Sequence, residues 1–168
     1  RSHRRDLRPE ALRTATAAAD QAVRLAPDLV EAEVARAEVD RANGRTNRAV
    51  AGLKRVVARR PHWDEACVLL AATFRDAGDL AEAERWLRRA VGLRPDYWRN
   101  WNSLGALLLR RGDYPVARVA FERIVQLVPQ KNRGYEQLAA LDLLEGRPEA
   151  AIAEYRRLPT PVEDGDLA

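Results

Sequence analysis

The chain has 168 residues, 46% hydrophobic and 32% charged, with a formal net charge of +4. That balance fits a helical chain with a packed interior and excludes an intrinsically disordered one. A single cysteine, Cys67, excludes an internal disulfide, and no apolar run approaches the roughly 18 residues a membrane-spanning helix needs. The positive charge is almost all arginine, with Lys54 and Lys131 the two lysines. It alternates with carboxylates, so pairs such as Glu84 and Arg88 fall one helical turn apart and read as solvated faces. Without a lysine/arginine block, nucleic acid is a weak candidate partner. The chain begins at Arg1 and has no methionine or secretory signal. We read it as a piece of a longer protein, with the cytoplasm its expected compartment.

In chain order, residues 1–8 are polar and basic and are expected to be linker or disordered. Pro9 suits the first turn of a helix, which should run to about Leu25 with Ala15, Ala18, Ala19 and Ala22 on one face, stopped by Pro27. Residues 30–63 hold two amphipathic runs. Val34 and Ala37 point inward on the first, Asn43-Gly44 breaks it, and Ala49, Leu53 and Val56 line the second, which ends before Pro61. Residues 64–97 repeat the arrangement with Cys67, Leu70, Ala71 and Phe74, then Ala83, Leu87 and Ala90. Residues 98–131 do so again, and residues 132–158 begin a fourth copy through Tyr135, Leu138, Ala139 and Ala151. Pro159 should stop that last helix, since an interior proline costs about 3 kcal/mol. Residues 159–168 read as a tail.

These segments share one period. Gly44, Gly78, Gly112 and Gly146 are 34 residues apart, as are Pro27, Pro61, Pro95 and Pro129. Ala15, Ala49, Ala83, Ala117 and Ala151 keep the same phase. Within residues 98–131, Trp101, Leu104 and Gly105 have W-x2-L-G spacing, and Ala117 and Phe121 have A-x3-F spacing ahead of Pro129. Leu108 stands where tyrosine is usual. The pattern resembles the tetratricopeptide repeat (TPR), a helix–turn–helix unit of about 34 residues. The resemblance implies an all-α fold, a right-handed α-solenoid of antiparallel helix pairs. Residues 9–29 would be the lone helix of an incomplete repeat. Residues 30–63 depart from the pattern most, with Glu33 in place of tryptophan and Arg36 in place of leucine, and should pack most loosely. No polar capping helix follows the fourth copy, so Leu141, Leu144 and Ile152 are expected to be partly exposed.

The inventory excludes the common catalytic sites. Histidine occurs only at His3 and His62, and serine only at Ser2 and Ser103, with no nucleophile–base pairing suggested by the repeat. Cys67 stands at the tryptophan position and reads as a small buried apolar residue. No cluster has zinc-ligand spacing and no phosphate-binding glycine motif occurs. We expect no enzyme activity, no cofactor and no metal.

In TPR proteins the first helices line a concave groove, and the resemblance assigns it the second, fifth, ninth, twelfth and thirteenth positions of each copy. The expected partner-binding residues are Glu38, Arg41, Val68, Ala72, Arg75, Arg99, Asn102, Ala106, Leu109, Arg110 and Arg133. Alanines at 72, 106 and 140 leave room for a ligand backbone. Arg75, Arg99, Arg110 and Arg133 favour a protein or peptide segment with an acidic stretch, while Glu31 and Glu38 make the N-terminal part acidic. The lysine and asparagine that clamp chaperone C-terminal tails are missing, since Val34, Glu38, Val68 and Ala72 fill those positions. Two further readings stay open. The aromatic corners His62-Trp63 and Tyr97-Trp98 either anchor a partner or pack on the next helix pair. The end repeats either bind a continuation of the protein or associate with another copy.

Overall fold

The structure is a computed structural model that describes the backbone of residues 3–159 and side chains from residue 10 onward. Residues 1–2 and 160–168, the greater part of the expected tail, lie outside the described residues. Among the described residues there are nine helices and no strand. They are α1 (His3–Leu25), α2 (Val30–Ala42), α3 (Thr46–Arg59), α4 (Asp64–Asp76), α5 (Leu80–Leu93), α6 (Trp98–Arg111), α7 (Tyr114–Leu127), α8 (Arg133–Leu144) and α9 (Pro148–Arg156). The fold is an all-α solenoid of antiparallel helix pairs, with α2–α3, α4–α5, α6–α7 and α8–α9 as the pairs. It divides into two compact units, residues 1–94 and 95–168.

Each pair turns on a glycine with positive φ, +71° at Gly44, +84° at Gly78 and Gly112, and +72° at Gly146. A side chain disfavours this left-handed conformation, so the glycine ends the first helix and reverses the chain. The second helices then start on favourable chemistry: Pro115 and Pro148 occupy their first turns, and the Asp79 carboxylate accepts the Glu82 amide.

In the N-terminal unit the core is Val30, Ala37, Leu53, Val56, Val57, Ala66, Cys67, Leu70 and Ala90, with Trp63, Phe74 and Trp86 half-buried against it. In the C-terminal unit Leu104, Leu107, Leu108, Phe121, Ile124, Leu138 and Leu141 are buried. α6 and α7 pack closely because Gly105 has no side chain. A Cβ there would lie 2.4 Å from Cε1 of Phe121. Two period-related hydrogen bonds tie first helices to the preceding loop. Trp101 Nε1 donates to the Pro95 carbonyl (2.8 Å) and the Tyr135 hydroxyl to the Pro129 carbonyl (3.3 Å).

Three expectations change. Residues 3–8, expected as linker, are the start of α1, which runs on through Pro9; the arginines and leucine there favour helix. Leu141 is fully buried, since it shares the register of buried Thr73 and Leu107 and faces into its own stack. Leu144 and Ile152 are 59% and 51% exposed. Tyr155 is 48% exposed, although Leu53, Leu87 and Phe121 are buried at the same register position. Lastly, Glu33 and Arg36 are ion-paired rather than merely misfitting. Glu33 takes Arg55 and Arg59, and Arg36 bridges Asp20 and Asp40, beside a cleft of about 260 Å³.

Candidate functional site

The first helix of each pair presents one stripe to its partner helix and another to solvent, and the expected binding residues lie on the solvent side. In the N-terminal unit Glu38 and Arg75 are exposed, and Arg41, Val68 and Ala72 are half-buried. Arg41 Nη1 lies 2.5 Å from Asp76 Oδ2 and Arg75 Nη2 lies 2.9 Å from Asp76 Oδ1. Burial alone would raise the Asp76 pKa, but hydrogen bonds from Arg75 and Arg41 outweigh it and hold the carboxyl below its ordinary value. Arg75, one of the four arginines expected to attract an acidic ligand, and Arg41, an expected partner-binding residue, are therefore already engaged by an acid of their own unit. Beside them α1 and α2 enclose an apolar cleft of about 630 Å³ lined by Leu12, Ala15, Ala18, Ala19, Ala22, Ala35, Val39 and Ala42, with Glu38 the charged residue at its edge.

The C-terminal unit differs. Arg99, Ala106, Arg110 and Arg133 are exposed and Asn102 and Leu109 are half-buried. Arg133 Nε donates to Asn102 Oδ1 (2.9 Å). The Arg99 guanidinium lies 5.5 Å and the Lys131 ammonium 6.0 Å from the Trp98 ring centre, within cation–π range. The arginine–asparagine contact brings together Asn102 and Arg133, two residues singled out separately in the sequence. Further along α8, Leu143 and Leu144 are exposed. The aromatic corners are engaged within their own units: Trp63 packs on the core beneath Arg60, and Trp98 is half-buried.

A cluster of charges that the repeat pattern did not single out joins α7, α8 and the turn after α8. Asp142 is buried and receives Nη2 of Arg118 (2.5 Å) and Nη2 of Arg147 (2.8 Å), and Glu145 accepts from both arginines. Asp40 repeats part of it, with Arg45 in the place of Arg147 and Arg36 of its own helix as the second cation. Asp40 and Asp142 stand in the same phase of the repeat, each followed five residues later by arginine. That signal was present, but acidic residues on helices usually read as solvated. Among the described residues no group of three or more potential metal ligands occurs, and no helix is long and apolar enough to cross a membrane.

Comparison with known sequences agrees with this architecture. The profile described as tetratricopeptide repeat matches residues 34–97, 68–132 and 102–165. The chain belongs to the tetratricopeptide repeat family. No protein of curated function matches the TPR chain. Among solved structures it is similar to MamA, at TM-score 0.73 and 20% identity, covering 91% of this chain and 90% of that one. It is similar to MamA 41-end from Desulfovibrio magneticus RS-1, at TM-score 0.72 and 18% identity over 92% and 87% of the two chains. The thermophilic TPR protein TTC0263 of Thermus thermophilus has TM-score 0.65 and 24% identity over 92% and 86%. At these identities the likeness is one of fold.

Proposed function

We propose that this TPR chain is a non-catalytic module that holds a peptide or protein segment on its first-helix faces, as part of a larger bacterial regulatory or scaffold protein. The observation that carries the reading is the accessibility of those faces. Ala72, Ala106 and Ala140 are all accessible on them, so a ligand backbone can approach while flanking polar side chains select its sequence. An acidic segment would be drawn chiefly to Arg99, Arg110 and Arg133, because Arg41 and Arg75 already share Asp76. Partners recovered from the source proteome on the immobilised chain should be lost on Ala106→Arg, which fills the face, and weakened by Arg110→Glu. Recovery that is indifferent to both substitutions would refute the reading.

A second reading is self-assembly, favoured by the exposed Leu144, Ile152 and Tyr155 on the last helix pair. Sedimentation across a concentration series separates the two. A mass that grows with concentration and returns to one chain on Leu144→Lys with Ile152→Lys supports assembly. Nucleic-acid binding is opposed by the acids interleaved among the arginines, such as Glu136 one turn from Arg133, and would show as steep salt dependence.

A further inference from the structure

The same register position carries opposite charge in the two units. It is Glu31 at the start of α2 and Glu65 at the start of α4, but Arg99 at the start of α6 and Arg133 at the start of α8. A helix N-terminus carries about half a positive charge from its aligned peptide dipoles, so acids stabilise it and cations destabilise it. α2 and α4 follow that rule with Glu31, Glu33, Asp64 and Glu65 in their first turns, while α6 has no acid in its first turn and α8 has Glu136 three residues after Arg133. Arg99 and Arg133 thus stand where their charge opposes the helix they belong to. Neither is joined to an acid by an ion pair among the described residues, in contrast to Arg41 and Arg75. Lys131 adds a third cation, held with Arg99 against Trp98, and Asn102 fixes the Arg133 fork through its carbonyl (2.9 Å). The nearest acids in sequence are Asp96 and Glu136, and among the described residues neither is ion-paired with these cations.

We infer that this corner of the C-terminal unit, formed by Arg99, Lys131 and Arg133 with Asn102, binds a phosphorylated side chain of the partner segment. Three cations without an ion-paired acid among the described residues, two of them in the first turns of α6 and α8, suit a dianion better than a single carboxylate, because a phosphate carries nearly two charges and three acceptor oxygens. The guanidinium forks of Arg99 and Arg133 can each hold two phosphate oxygens, and the Asn102 amide N–H groups can add a neutral donor. The inference rests on the groove reading above, since the rest of the ligand would continue along Ala106 and Leu109.

The test uses the full chain and three peptide arrays that differ only in one fixed residue, phosphoserine, serine or glutamate. The phosphoserine array should be retained about tenfold more strongly than the other two, as expected for a dianion against a monoanion on paired arginines. Arg99→Gln with Arg133→Gln should abolish that preference, whereas Arg75→Gln leaves it. Inorganic phosphate should compete. Arg99→Glu should remove phosphoserine binding and raise the melting temperature of the C-terminal unit, a combination that a merely structural arginine would not produce. Equal retention of the glutamate array, a preference that survives the double substitution, or displacement by short single-stranded DNA at lower concentration than by phosphoserine would overturn the inference. Serine peptides bound as well as phosphoserine peptides, and lost on Ala106→Arg, would leave the groove standing and end the phosphate site. Phosphoserine binding lost on the arginine pair but kept on Ala106→Arg would keep the corner and end the groove.

Discussion

Arg118 of α7 reaches across to α8 and places Nη2 2.5 Å from Oδ1 of Asp142, whose side chain is only 3% exposed. The pair joins two successive repeats where neither partner alone would be tolerated: a buried carboxylate needs a cation, and Arg118 is itself largely covered. Removing the acid charge by Asp142→Asn should destabilise the C-terminal unit by about 1–3 kcal/mol, less than a fully buried pair because Arg147 is half exposed and can turn to water. Denaturant unfolding of the variant, compared with Arg118→Ala and the double variant, would measure this. A coupling near zero in that cycle would show that the pair does not join the repeats energetically.

The same pair sets an acid limit. Burial would raise the Asp142 pKa, but hydrogen bonds from Arg147 and Arg118 outweigh it and hold the folded value below the ordinary one. A depressed folded pKa stabilises fully above the unfolded value, about 3.9, and that contribution is lost as pH falls through the lower folded value. The melting temperature should therefore fall below about pH 4, and Asp142→Asn should flatten that part of the profile.

Two glycines should respond to alanine with opposite sign. Gly112 has φ +84°, where a Cβ costs roughly 1–2 kcal/mol. Gly92 lies within α5 with nothing near an added Cβ, so Gly92→Ala should stabilise by about 0.5–1 kcal/mol. Thermal unfolding of the two single variants checks the signs.

Gly105→Ala tests a contact rather than a conformation. Its Cβ would meet the fully buried Phe121 ring, so overpacking of about 1–3 kcal/mol should outweigh the gain in helix propensity. Phe121→Leu in the same chain should recover part of the loss. Equal destabilisation by both substitutions separately and additively would show that the ring is not what excludes a side chain.

Cys67 offers a reporter. It is fully buried and burial raises its thiol pKa, so a thiol reagent should label the folded chain at a rate set by opening of α4. Labelling should accelerate with denaturant in step with unfolding. Rapid labelling under native conditions would contradict the burial.

The repeat was legible because its markers are local. A turn needs glycine at a positive φ, a helix stops at proline, and close helix packing needs alanine, so each requirement leaves the same letter at the same phase. The register of the first-helix positions expected to bind came from the family resemblance, because the period fixes the repeat and not which of its faces meets a partner. What was not legible was how charges are shared. Arg41 and Arg75 read as ligand-binding cations until folding set Asp76 between them, and the repeat pattern did not single out Asp40 and Asp142 as the acids that folding buries. Leu141 read as an exposed end residue because it was judged by the missing capping helix, whereas its register with Thr73 and Leu107 turns it into its own stack.

The amino-acid sequence by itself determined the repeat length, the helix pairing and the all-α class, because those depend on backbone conformation and side-chain size within one unit. Only the tertiary structure decided which cations remain available. Ion pairing depends on groups brought together from different helices, as when Asp76 of α4 engages Arg41 of α2 while Arg133 of α8 donates to the neutral Asn102 of α6 and has no ion pair among the described residues.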